Sequence, residues 1–178
     1  MLKLGLIGKN ISYSKSPDIH HYMQKVLNIE LTYDLIDVYP KDLDILIKQL
    51  KAGIYHGFNV TQPYKEDVMT YCDIITPKAK EIEAVNTIYL KNGLVVGDNT
   101  DYDGFLGMLD MNHIDVSHKK VFITGTGGAA KACYHVLKDL GAVPKLVTRD
   151  ALKKSAHIIT YDDMYQKQAD LIVQATPV

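Results

Sequence analysis

The sequence predicts two α/β domains in succession, each built on a mostly parallel sheet. Three observations predict it. Short apolar runs that read as strands alternate with amphipathic runs that read as helices. That order favours crossover connections and parallel pairing. A glycine-rich turn, Gly125-Thr126-Gly127-Gly128, falls between one such strand and one such helix. The pattern also changes across the polar stretch Asn112 to His118. That change divides the chain into residues 1–111 and 112–178.

Leu2 to Ile7 reads as a first buried strand, ended by Gly8. Lys9 to Ser16 is a polar loop. Ser16-Pro17 predicts a helix start, with Ser as N-cap and Pro at the first helical position, and the helix runs to about Leu27. Leu31 to Val38 alternates like a second strand. Pro40 and Asp42 open an amphipathic helix with Leu43, Leu46, Ile47 and Leu50 at helical spacing, and Gly53 ends it. Gly57 to Thr61 reads as a third strand, and Pro63 is expected to start a helix reaching about Cys72. Ala84 to Leu90 and Leu94 to Val96 flank Asn92-Gly93, two residues that tolerate positive φ and so predict a hairpin. Thr100 to Asp103 offers caps for a helix ending near Met111. In the second domain Lys120 to Thr124 predicts a strand. A helix from Ala129 to Leu140 follows, closed by Gly141. Further strands are expected at Lys145 to Thr148, His157 to Thr160 and Ala169 to Ala175.

Composition excludes several classes of function. The 178 residues carry 20 basic and 21 acidic side chains, so no net field draws nucleic acid or an anionic membrane. Small molecules are the expected partners. Cys72 and Cys133 stand in no CxxC or CxxH spacing, so neither a disulfide framework nor a metal site is expected. Two reduced thiols suit the cytoplasm. The apolar run at Met1 to Gly8 is too short for a signal-peptide core or a membrane span.

Gly125-x-Gly127-x-x-Ala130 has the strand-turn-helix context that a dinucleotide site requires. The first glycine makes the tight turn. The second lets backbone N–H groups approach a pyrophosphate, and Ala130 is small enough for helix to pack on strand. Gly128 and Ala129 then start a helix whose N-terminal dipole favours phosphate. The end of the next strand selects the cofactor. An acidic residue there suits NAD, but this chain has Thr148-Arg149-Asp150. Arg149 suits the 2′-phosphate of NADP. Lys153 and Lys154 can add positive potential, while Asp150 can pair with Arg149 or serve a ribose.

In the first domain, polar residues stand where packing does not ask for them. Ser14 and Ser16, two apart, can point the same way and donate to one carboxylate, although Ser16 also serves as a cap. Lys65 falls in the first turn of the helix expected after Pro63, where a cation opposes the helix dipole. Local structure therefore gives no reason for it. Asn86 opens a hairpin strand, which Asn disfavours. A ligand and a local backbone bond both account for it. Asp101 sits in Gly97-Asp98-Asn99-Thr100-Asp101, which holds more capping residues than one helix needs.

Ser14-Lys15-Ser16-Pro17, Asn59-Val60-Thr61-x-Pro63-x-Lys65, Ala84-Val85-Asn86-Thr87, Gly97-x-Asn99-Thr100-Asp101 and Gly125-x-Gly127-Gly128-Ala129 stand in an order and approximate spacing that resemble the shikimate dehydrogenase family. The resemblance covers all 178 residues. It implies an N-terminal α/β substrate-binding domain followed by a Rossmann-type NADP-binding domain. It further implies reduction of 3-dehydroshikimate to shikimate with NADPH. Ser14 and Ser16 would bind the carboxylate, and Thr61, Asn86 and Asp101 the ring hydroxyls. Lys65 and Asp101 would form the catalytic pair. For Lys65 an acid role and a purely electrostatic role are both open. Gly125, Gly127, Gly128, Ala129, Thr148 and Arg149 would hold NADP. A quinate or dual quinate/shikimate dehydrogenase, and a non-catalytic fragment that binds shikimate or nucleotide, are the alternatives. The expected assembly is a monomer or homodimer.

The chain departs from the family in three places. Thr148-Arg149-Asp150 stands where Asn-Arg-Thr is usual, which leaves the contacts beside Arg149 open. Gln62 stands where a small apolar residue is common. Ala175-Thr176-Pro177-Val178 resembles the start of the family's Ala-Thr-Pro-Val-Gly-Met stretch, stopped two residues early. In the family, the chain beyond that stretch supplies the remaining nucleotide-domain strands, a substrate-contacting Tyr, and a helix that returns to the first domain with a Gln. A parallel sheet ending at its fourth strand would leave an apolar edge uncovered. The expectation is an incomplete nucleotide domain cut from a longer protein, with the activity belonging to the complete form.

Overall fold

The structure, a computed structural model, describes residues 1–176. Pro177 and Val178, the end of the closing family-like stretch, lie outside the described residues. The chain divides into two compact units, Met1–Asn99 and Thr100–Val178.

In the first unit the elements run β1 (Leu2–Gly8), α1 (Ser16–Leu27), β2 (Leu31–Asp37), α2 (Leu43–Lys51), β3 (Gly57–Val60), β4 (Ile74–Ile75), α3 (Pro77–Ile82), β5 (Thr87–Lys91) and β6 (Leu94–Asp98). They form a six-stranded sheet in the order β2-β1-β3-β5-β6-β4. β1 pairs in parallel with β2 and β3, and β4 with β6, while β5 runs antiparallel to both its neighbours. The β5–β6 hairpin turns at Asn92 and Gly93, both at positive φ, as their residue types predict. α2 buries Leu43, Leu46, Ile47 and Leu50 in a core with Phe58, Val60, Ile88 and Val95. Each such side chain contributes about 1.5–3 kcal/mol by leaving water. A second cluster, Leu6, Ile11, Leu31 and Tyr33, forms a separate core. α1 has no buried residue, and Ile19, Tyr22 and Val26 are exposed along it.

Three local expectations fail here, each for a physical reason. No α-helix follows Pro63. The segment turns and becomes a 3-10 helix at Asp67–Tyr71. An α-helix would need the Lys65 carbonyl to accept from Met69, but that carbonyl accepts from Val85 N at 2.7 Å. Met69 N donates instead to Glu66 O, one residue closer. The dipole argument for Lys65 therefore falls away. Ser16 is not the N-cap of α1. It is the first helical residue, Lys15 takes the cap position, and the hydroxyl of Ser14 accepts from Ser16 N at 3.2 Å. Asn86 precedes β5 rather than opening the strand. Its backbone is still bonded on both sides: Asn86 N donates to Asp98 O, and Val60 N donates to Asn86 O. Sequence reading also passed over β4 and α3. Thr76-Pro77 was a legible signal, since the Thr76 hydroxyl accepts from Ala79 N as an N-cap.

The second unit holds α4 (Asp101–Met111), β7 (Lys120–Thr124), α5 (Gly128–Asp139), β8 (Val143–Thr148), β9 (Ile158–Thr160), α6 (Tyr161–Tyr165) and β10 (Leu171–Gln174). The four strands are parallel, in the order β10-β7-β8-β9. Leu109 of α4 and Ala130, Val136 and Leu137 of α5 pack with Val121, Ile123 and Leu146. Phe122, Val147 and Ile159 form a second cluster, joined by Tyr161 and Met164 of α6. The sequence reading closes its first domain after α4, near residue 111. The compact units divide at Asn99 and Thr100, because α4 shares its core with α5. No helix of the described residues is long and apolar enough to cross a membrane.

Candidate functional site

In the first unit the candidate residues gather beyond the carboxyl ends of the parallel strands β1 and β3, where open α/β sheets place their ligands. The loop after β1 is tied down at its start. Lys9 Nζ donates to Asp37 Oδ1 at 2.8 Å, and Ile11 N donates to Asp37 Oδ2 at 3.3 Å. The hydrogen bond from Lys9 is the first cause that holds the Asp37 carboxyl below its ordinary range, and the same bond raises Lys9. Ile11 is buried, so the loop cannot lift away without exposing it. Lys9 N donates to Gln62 O, and Thr61 N donates to Ile7 O, which ties Thr61 beside the same loop. Gly8 permits this approach. A Cβ there would lie 2.5 Å from Ile11 Cγ2 and 2.6 Å from Thr61 Cγ2.

Ser14 and Ser16 come together as expected, with Ser14 Oγ donating to Ser16 Oγ at 3.1 Å. Asn86 is only 7% exposed, and its Oδ1 accepts from the Thr87 hydroxyl at 3.0 Å. Lys65 is half-buried and is tied through its carbonyl to Val85, the neighbour of Asn86. Asp98 and Asn99 prove to be structural. Asp98 Oδ1 accepts from the Thr76 hydroxyl at 2.7 Å and from Asn99 N at 2.8 Å, and Asn99 Nδ2 donates to Ala84 O at 2.9 Å. They account for the surplus of polar groups around Asp101, which is the first residue of α4. Sequence reading missed Tyr33 as a polar participant. Its hydroxyl donates to Asn59 Oδ1 at 2.8 Å, but within its strand Tyr33 reads only as a core aromatic.

In the second unit the turn after β7 has the form a dinucleotide needs. Gly125 sits at φ +102, where an L side chain is strained, and a Cβ on it would lie 3.0 Å from Thr176 Cγ2. Gly127 is the N-cap of α5, and a Cβ there would meet nothing within 4 Å. Gly128 is buried, Ala129 is exposed, and Ala130 is fully buried against the sheet. Gly125, Thr126, Thr148, Arg149, Asp150 and Tyr161 line a cavity of about 240 Å³. A neighbouring cavity of about 310 Å³ shares Thr148, Arg149 and Tyr161. An exposed guanidinium between two cavities, beside a turn open to backbone donors, fits the adenosine end of NADP. Asp150 has a local task, for its carboxylate accepts from Leu152 N at 3.0 Å and caps the turn Ala151–Lys153. Among the described residues no group of three or more His, Cys, Asp or Glu side chains is placed to hold a metal ion.

Lys154 does not join Arg149. It bridges Asp163 at 2.8 Å, and Asp163 in turn accepts from the backbone and hydroxyl of Thr160 in a capping box. That box fixes the start of α6 and so the place of Tyr161. The Lys154 ammonium and then Thr160 hold the Asp163 carboxyl well below the usual carboxylate range. A lowered folded value means stability that is present above the unfolded pKa of about 4 and lost as pH falls below it. Asp163→Asn should therefore lower the melting temperature near neutral pH. The gap to the wild type should narrow steadily as the pH falls below about 4. A gap independent of pH would show that the carboxylate charge has no part in it.

A family model for the shikimate dehydrogenase substrate-binding domain matches residues 6–88. A shikimate dehydrogenase (NADP(+)) of Clostridium beijerinckii is 39% identical over 181 aligned residues, covering 98% of this chain and 67% of that protein. A crystal structure of shikimate dehydrogenase 1 from Peptoclostridium difficile superposes with a TM-score of 0.94 at 40% identity, over 100% of this chain and 68% of that one. The Thermus thermophilus shikimate 5-dehydrogenase, solved in complex with NADP(H) and shikimate, gives 0.88 at 28% identity, over 99% of this chain and 69% of that one.

Proposed function

This chain belongs to the shikimate dehydrogenase family, and we propose that it serves the reduction of 3-dehydroshikimate to shikimate by NADPH, a step towards chorismate and the aromatic amino acids. Like its relatives it is an NADP-dependent oxidoreductase. One observation carries the substrate assignment. Ser14 and Ser16 are hydrogen-bonded to each other at the end of the loop after β1, while Thr61 follows β3 and Asn86 precedes β5, its partner strand. Two adjacent hydroxyls suit a carboxylate, and the amide and hydroxyl beside them suit ring hydroxyls.

Residues 1–111 are assigned to substrate and 112–178 to the nucleotide. Ser14 and Ser16 take the carboxylate, while Thr61, Asn86 and Asp101 take ring hydroxyls. Lys65 and Asp101 act at the reacting carbonyl. Gly125, Gly127, Gly128, Ala129, Thr148 and Arg149 would hold NADP, whose reduced form, NADPH, would supply the hydride when bound. As the ketone carbon is reduced, negative charge grows on its oxygen. Lys65 stabilises that charge and can complete the alcohol by giving up a proton. Cys72 and Cys133 stand in no CxxC or CxxH spacing, which suits a cytoplasmic protein, and we assign it as a monomer or homodimer.

Steady-state assay with shikimate and quinate, each with NADP and NAD, tests the reading. The expected best pair is shikimate with NADP. Faster turnover of quinate would transfer the assignment to a quinate enzyme.

A further inference from the structure

Towards the amino ends of β7 and β8 the second unit holds a further cavity, of about 330 Å³. Open α/β sheets take nucleotides beyond the carboxyl ends of their strands, where Gly125 and Arg149 stand here. The further cavity shares no lining residue with the two around Arg149. Its floor is apolar. Val121 and Ile123 of β7 pack with α5, so Phe122 between them faces the other side of the sheet, where it clusters with Ile159. Val143, at the start of β8, lies on the same floor and is 52% exposed.

Three lysines, Lys120, Lys145 and Lys167, complete the lining with the neutral amide of Gln168, so no acidic side chain takes part in it. Among the described residues no carboxylate pairs with any of the three ammonium groups. Asp170, three residues after Lys167, gives its Oδ2 to Lys120 N instead. Lys145 Nζ donates to Ala156 O, and an ammonium carries three protons, so two remain to be given. Like charges around one small cavity repel one another, and an anion among them turns that repulsion into charge-assisted hydrogen bonds.

We propose that this cavity binds a small aromatic carboxylate, with its ring on Phe122, Val143 and Ile159 and its carboxylate among the three lysines. The volume suits a small molecule. An inorganic anion would leave the apolar floor wet, and an uncharged ring would leave the ammonium groups without an acceptor. An amino group on the ligand would meet three cations and no carboxylate. The site stands apart from the shikimate reading and does not depend on it.

Titration of this chain with 3-phenylpropionate, followed by calorimetry and methyl NMR, tests the proposal. Saturable binding is expected with a dissociation constant of about 1 mM or tighter. Shifts should centre on the methyls of Val143 and Ile159, and not on those of Thr126 and Thr148 beside the nucleotide turn. The uncharged 3-phenylpropanamide, and L-phenylalanine with its added ammonium, should each bind about fivefold more weakly or worse. Lys120→Glu and Lys167→Glu change exposed side chains, so the fold is kept. Each should weaken 3-phenylpropionate about threefold or more, while Lys138→Glu on α5 should leave it within about twofold. The proposal is overturned by an absence of saturation up to about 10 mM, or by shifts centred on the nucleotide turn. Equal binding of acid and amide would reduce the cavity to an apolar hollow, and displacement by equimolar inorganic phosphate would reduce it to surface charge. Either result overturns it, as does unchanged affinity in both lysine variants.

Discussion

Lys65→Ala is expected to slow hydride transfer about 10²–10⁴-fold, while the dissociation constant for shikimate changes by less than about tenfold. The asymmetry follows from when the charge exists. A ketone or alcohol carries no net charge on its oxygen in the ground state, so a cation beside it gains little on binding. In the transition state that oxygen is becoming an alkoxide, and the interaction strengthens there alone. The tie from this residue to Val85 runs through its carbonyl, at 2.7 Å, and alanine keeps that carbonyl. Single-turnover rates and equilibrium binding, measured separately on protein that turns over shikimate, make the comparison. Equal losses in rate and affinity would reduce Lys65 to a binding contact.

Arg149→Ala is expected to raise KM for NADP about 10–100-fold and to leave KM for NAD within about twofold. The two cofactors differ only by the 2′-phosphate, so a residue that meets that phosphate separates them. Arg149 is exposed at the end of β8, between the two cavities that share Thr148 and Tyr161. Lys154 is engaged by Asp163 and cannot stand in for it without giving up that ion pair. An equal rise for both cofactors would remove Arg149 from phosphate recognition.

The parts of this protein that were legible in the sequence share one property: neighbours along the chain decide them. The apolar run of β1, the helical spacing of α2, the Asn92-Gly93 turn and the strand-glycine-helix junction at Gly125 all follow from local preference. Ser14, Lys65 and Asn86 stood out as polar residues that packing did not ask for. Yet the helix that made Lys65 conspicuous does not form, and a local backbone bond also accounted for Asn86. Thr61 was named only by the family resemblance. Asp98 and Asn99 looked similar in sequence, but they are occupied in holding Thr76 and Ala84.

The class of fold, the order of most elements, the nucleotide turn and the residue types at the substrate end were thus written in the chain itself. The path after Pro63, the role of Ser16 and the part played by Tyr33 emerged only on folding. For the first and last of these, a partner distant in sequence took a group that local rules had spoken for. Val85 took the Lys65 carbonyl and left a 3-10 turn where a helix was expected. Asn59, 26 residues from Tyr33, turned an apparent core aromatic into a hydrogen-bond donor. A hydrogen bond satisfies a carbonyl or hydroxyl equally well from near or far, and only the folded chain shows which partner arrives.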